Sequence, residues 1–123
     1  MNLIKLDHIL IAVTDFDKSV SFYRDVLGLK QTWSSDEEQW VHLSLGNSYI
    51  SIIQSNASPR DVTKSSFKHV CWQVESAENV RIELRAKGIS FFPFETPVSH
   101  ATYINDPEGN EIELTQYKHK DHS

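Results

Sequence analysis

Two histidines occupy the same place in two copies of one pattern. The first copy runs Leu6-Asp7-His8-Ile9-Leu10-Ile11-Ala12-Val13 and the second Phe67-Lys68-His69-Val70-Cys71-Trp72-Gln73-Val74. Each is an apolar run with a histidine third, followed by a polar turn and a helical pattern. A histidine in a strand is costly unless something uses it. Two at equivalent points of an internal repeat point to one shared site, with a divalent metal as the first candidate.

The elements that must position them repeat as well. After His8, Thr14 or Asp15 can cap a helix carrying Val20, Tyr23, Val26 and Leu27 on its apolar side, which stops at Gly28. After His69, Ser76 can cap a helix carrying Val80, Ile82 and Leu84, which stops at Gly88. The histidines are 61 residues apart and the glycines 60. Downstream, residues 40–45 correspond to 101–106 and residues 49–53 to 111–115, each second strand reached through a glycine turn (Gly46-Asn47, Gly109-Asn110). Each half thus reads strand, helix, then two or three strands. The expected organisation is one domain: a first module over 1–55, a polar linker over 56–66 with Pro59, a second module over 67–117, and a charged tail over 118–123.

Strand alternation assigns side chains to faces. Ile9, Ile11 and Val13, and likewise Val70, Trp72 and Val74, belong beneath the helices. His8 and His69 then point to the opposite, concave face. Ile112 and Leu114 side with the helices, so Glu111, Glu113 and Thr115 face the concave side. Val41, Leu43 and Leu45 go under the helix, leaving Trp40, His42 and Ser44 inward, as is Tyr103 in the matching strand. Two imidazoles and one carboxylate, Glu111 or Glu113, can hold a divalent metal while leaving coordination positions open. Such a metal polarises a substrate oxygen or stabilises negative charge. His42 and Tyr103 are candidates to position substrate or move protons, or simply to line the pocket. Trp40, Tyr49 and Ser51 are candidates to touch substrate.

Several motifs together resemble the vicinal oxygen chelate superfamily of glyoxalase I, bleomycin-resistance proteins, fosfomycin-resistance proteins and extradiol dioxygenases. They are Leu6-Asp7-His8 with Phe22-Tyr23 and Leu27-Gly28-Leu29, His69-Val70 with Lys87-Gly88-Ile89, and the run from Tyr103 through Asp106-Pro107-Glu108-Gly109-Asn110 to Glu113. The resemblance implies an α+β fold of paired βαβββ modules, a curved, half-open mixed sheet with helices on its outer face. It also implies a metal cup in which His8, His69 and Glu113 match three family ligands, with Glu113 also the catalytic carboxylate. Departures narrow the reading. Ser51 stands where glyoxalase I carries a fourth, carboxylate ligand, and Ala12 where the bacterial type carries an arginine, both against a glutathione-dependent lyase. Thr102 fills the apolar place before the dioxygenase tyrosine. Residues 115–118 poorly match the basic stretch of fosfomycin-resistance proteins.

Bulk properties set modest bounds. A chain of 123 residues can bury a core without disulfides, and its single cysteine, Cys71, fits a reducing compartment. No run reaches membrane-spanning length and no leader pattern opens the chain, so the cytoplasm is the expected location. A net charge of −5, from 12 Lys+Arg against 17 Asp+Glu, argues against nucleic acid as a partner. The expected partner is a small molecule, and the expected assembly a homodimer with two equivalent sites, each built either within one chain or with His8 from one subunit and His69 with Glu113 from the other.

The preferred function is a metal-dependent enzyme (Mn, Fe, Ni, Zn or Co) acting on adjacent oxygens of a small substrate, as lyase, isomerase, transferase or dioxygenase. The alternative is a non-catalytic drug binder of bleomycin-resistance type, with Trp33, Trp40, Phe91, Phe92 and Phe94 stacking on the ligand. Cys71 is expected as a small core filler, His100 as an exposed loop residue, and His119 and His122 as solvated tail. Residues 33–39 and 92–100 are expected as loops, with Asp36-Glu37-Glu38 in solvent.

Overall fold

The computed structural model describes residues 1, 2, 4, 6–55 and 69–119. The predicted linker and the end of the tail, with His122, lie outside them. The chain divides into two compact units, Met1–Ser65 and Ser66–Ser123. Each is a βαβββ module of an α+β fold.

In the first unit, β1 (His8–Val13) leads into α1 (Phe16–Ser21), and three strands follow: β2 (Lys30–Ser35), β3 (Trp40–Leu45) and β4 (Ser48–Gln54). The sheet order is β1-β4-β3-β2, with β1 parallel to β4 and the remaining pairs antiparallel. Asp15 caps α1, its side chain accepting from the Lys18 amide. One continuous helix is expected up to Gly28; instead Phe22–Val26 form a π-helical turn in which the Leu27 amide reaches back to the Phe22 carbonyl. Tyr23 on that turn is fully buried. Gly28 closes it at φ +80°, a left-handed conformation that suits glycine.

The second unit repeats the plan with β5 (Val70–Gln73), α2 (Ala77–Ala86), β6 (Phe92–Glu95), β7 (Ser99–Asn105) and β8 (Glu111–Tyr117). The order is β5-β8-β7-β6, again with one parallel pair, β5 with β8. Ser76 caps α2 through the Asn79 amide. No helix among the described residues is long and apolar enough to cross a membrane.

Alternation divides the faces. Ile11, Val13, Val41, Leu43, Ile50 and Ile52 are buried with Val20 and Tyr23 in the first unit; Ile104, Ile112 and Leu114 are buried with Leu84 in the second. Two apolar residues depart from expectation. Ile82 is exposed, because it lies about 200° around α2 from Leu84, opposite the stripe set by Ala77 and Leu84. Leu45 is exposed at the mouth of the β3–β4 turn. Both expected loops contain strands. Lys30–Ser35 form β2, and Phe92–Glu95 form β6 despite Pro93, which is tolerated because β6 is an edge strand. His100 is accordingly in β7 rather than a loop, and its Nδ1 lies 2.6 Å from Glu95 Oε1 across the strand pair.

One device ties strand to helix in both units. Gln54, at the end of β4, accepts from the Phe16 amide and donates to the Thr14 carbonyl. Gln116, in β8, accepts from the Ala77 amide at 2.8 Å. These glutamines satisfy first-turn helix amides that lack intrahelical partners. Gln116→Leu is expected to lower stability by about 1–2 kcal/mol in urea unfolding, because it orphans a buried amide.

Candidate metal and substrate site

The second unit brings three acid–base residues to its open face. Register pairs Cys71 with Glu113 and Glu113 with Tyr103, so the three share one side of adjacent strands. His69, just ahead of β5, lies on the same side. Its Nε2 is 3.4 Å from Glu113 Oε1, and its Nδ1 is 3.6 Å from Glu111 Oε1. Glu113 is the more sheltered carboxylate, its side chain 16% exposed against 47% for Glu111. Thr115 Oγ1 donates to the other Glu113 oxygen, which aims Oε1 at the imidazole. Tyr103 meets the His69 ring edge-on at 6.4 Å. Burial, and then the Glu113 charge, push the Tyr103 phenol above its ordinary pKa, so it remains a hydrogen-bond donor. Cys71 is exposed on this face rather than filling the core, and burial of its sulfur region together with Glu113 pushes the thiol up.

The open face of the first unit is aromatic. His8 and Tyr49 are register partners on the parallel strands β1 and β4, and their rings stack at 4.4 Å and 9°. Asp7 Oδ2 holds His8 Nδ1 at 2.8 Å, which leaves Nε2 as the nitrogen for a ligand. His42 sits 4.5 Å from Tyr49 and 4.6 Å from Trp33, ring centre to centre. Burial first, and then His8, lower the His42 pKa, favouring a neutral imidazole able to accept a proton. Trp40 meets Trp33 edge-on, and its Nε1 donates to Ser51 Oγ at 2.6 Å. Ser51 is buried, so its hydroxyl fixes the Trp40 indole. Burial and Asp7 keep the Tyr49 phenol protonated by raising its pKa.

Each unit by itself carries donor types that a divalent first-row metal accepts: an imidazole beside an oriented carboxylate in the second, and an imidazole with one nitrogen already held in the first. Within each unit, among the described residues, no three His, Cys, Asp or Glu side chains form a group that could hold a metal ion. Asp7 and Thr115 escaped the sequence reading as supporting residues. The signal for Asp7 was its place beside His8; for Thr115 it was the shared strand parity with Glu113.

The repeated βαβββ fold matches known proteins. The family model of the Glyoxalase/Bleomycin resistance protein/Dioxygenase superfamily matches residues 5–114. The chain belongs to this superfamily. Among its members, the chain is similar to a probable lactoylglutathione lyase of Synechocystis, 29% identical over 92% of this chain and 95% of that protein. It is also similar to the metallothiol transferase FosB of Staphylococcus saprophyticus, 26% identical over 89% of this chain and 74% of that protein. Among solved structures, virulence protein STM3117 of Salmonella typhimurium superposes with a TM-score of 0.78 at 26% identity, covering 95% of this chain and 99% of that one. The lactoylglutathione lyase of Agrobacterium tumefaciens shares the fold, with a TM-score of 0.79 at 21% identity over 91% and 92%.

Proposed function

We propose that this chain is a metal-dependent enzyme acting on a small molecule that presents two adjacent oxygens. The observation that carries the reading is the 3.4 Å approach of His69 Nε2 to a sheltered Glu113 carboxylate oriented by Thr115. Superfamily membership and the lyase and metallothiol transferase relatives support it. His8, His69 and Glu113 are the proposed ligands. The metal, one of Mn, Fe, Ni, Zn or Co, supplies Lewis acidity toward substrate oxygens when bound.

The remaining residues divide the work. Glu111 steadies His69 from its other nitrogen, as Asp7 does for His8. His42, whose pKa burial and then His8 lower, accepts a proton from substrate. Tyr103, kept protonated, donates a hydrogen bond to an oxygen on which charge develops. Trp40 and Tyr49 shape the wall that substrate meets, and Ser51, buried beneath, acts on substrate only by holding the Trp40 indole. Residues 1–123 work as one functional domain, as a homodimer in the cytoplasm.

A drug-sequestering role has one observation in its favour, the ring cluster Trp33–Trp40–His42–Tyr49. Metal analysis of protein purified without added metal separates the two readings. The enzyme is expected to carry close to one first-row metal per chain and to sediment as a dimer. A chain that takes up none of the five metals on titration refutes the proposed function and leaves sequestration.

A further inference from the structure

The second unit holds an open cavity of about 540 Å³ between its metal-facing residues and the edge strand β6. His69 and Glu111 line it together with Phe92, Phe94 and Tyr103. The rings form a continuous wall. Phe92 and Phe94 stack at 6.5 Å, Phe94 meets Tyr103 at 6.4 Å, and Tyr103 meets His69 at 6.4 Å. Among the described residues, the lining contains no lysine or arginine, and its full charge is the Glu111 carboxylate. Phe92 and Phe94 are 63% and 49% exposed, so their faces are open to a guest.

A site for an anionic tail needs a cation or a set of aimed donors to offset desolvation. This cavity offers chiefly ring faces and edges beside an acidic group, with Ser90 and Asn105 as uncharged polar residues and the Arg85 guanidinium 5.1 Å from the Phe91 ring. We propose that it takes the aromatic portion of a substrate whose adjacent oxygens lie toward His69. Phe94, between Phe92 and Tyr103, is the specificity-determining residue. This assignment rests on the metal-enzyme reading for the oxygens, but the ring wall is independent of it.

Two neutral probes share adjacent carbonyl oxygens and differ in the ring: 1-phenylpropane-1,2-dione and butane-2,3-dione. Calorimetric titration of the full chain, with and without added Mn, is expected to give roughly tenfold tighter binding of the phenyl compound. Phe94→Ala should abolish that preference and Phe94→Leu keep part of it, with unchanged thermal unfolding of both variants confirming the fold. Equal binding of the two diones, or a Phe94→Ala effect on sedimentation but not on probe binding, overturns the assignment. If the phenyl preference persists while neither probe responds to metal, the cavity stands and the metal reading falls. If both probes require metal yet bind equally, the reverse holds.

Discussion

Glu113→Ala is expected to lose metal affinity by on the order of a thousandfold, whereas Glu111→Ala loses about tenfold, the range for a residue that orients a ligand. The two carboxylates share a strand and a face, so charge and parity treat them alike. Their surroundings differ. Glu113 is sheltered, has one oxygen engaged by Thr115, and directs the other to His69 Nε2. Glu111 is far more exposed and approaches His69 only from the Nδ1 side. Removing Glu113 therefore removes a donor atom, while removing Glu111 loosens a ring. His69→Ala and His8→Ala should match Glu113→Ala, and His8→Ala tests whether the first unit contributes a ligand. Competition against a chelating dye measures all four variants. Equal losses for Glu111→Ala and Glu113→Ala would mean that the assignment of the ligand carboxylate is wrong.

Asp106→Ala is expected to destabilise the chain by about 3 kcal/mol, a large part of an ordinary domain's 5–15 kcal/mol. Asp106 is 5% exposed and organises the turn between β7 and β8. Its Oδ1 accepts from the Glu108 and Asn110 amides at 3.0 and 2.8 Å, and its Oδ2 from the Asn110 side chain at 3.1 Å. Alanine leaves the buried Asn110 with donors that no longer have this acceptor. The conservative variant Asp106→Asn keeps one acceptor oxygen for the two amides, so it should cost only about 1 kcal/mol. Urea unfolding monitored by circular dichroism reads both. A loss below about 1 kcal/mol for Asp106→Ala would show that the turn does not depend on the carboxylate. The residue belongs to the motif that ends at Glu113, and its contribution is to set the start of β8, upstream of the carboxylate, not to perform chemistry.

Much of the fold was legible in the chain. The repeat, both helix caps at Asp15 and Ser76, and the helix ends at Gly28 and Gly88 follow from local signals, because capping and left-handed turns are decided within a few residues. Pattern failed where a local rule met its exception. Pro93 speaks against a strand until the strand is known to lie at a sheet edge, and helical spacing does not reveal the π-helical turn that carries Tyr23 into the core. The expected core place of Cys71 failed for a related reason. Parity assigned it the face of His69, but burial on that face depends on what the neighbouring strands present.

By itself, the sequence determined a twice-repeated order of strand, helix and following strands, and the faces of the residues in the strands it revealed, since a side chain's face follows from the two-residue period of its own backbone. Only the tertiary structure decided which atoms meet. That Glu113 rather than Glu111 approaches His69 Nε2, that Ser51 holds the Trp40 indole, and that Gln54 and Gln116 reach the helix starts all depend on register between segments far apart in the chain. Register is set by the inter-strand hydrogen-bond ladder and by core packing acting together, and a shift of one residue would turn every one of these side chains to the other face.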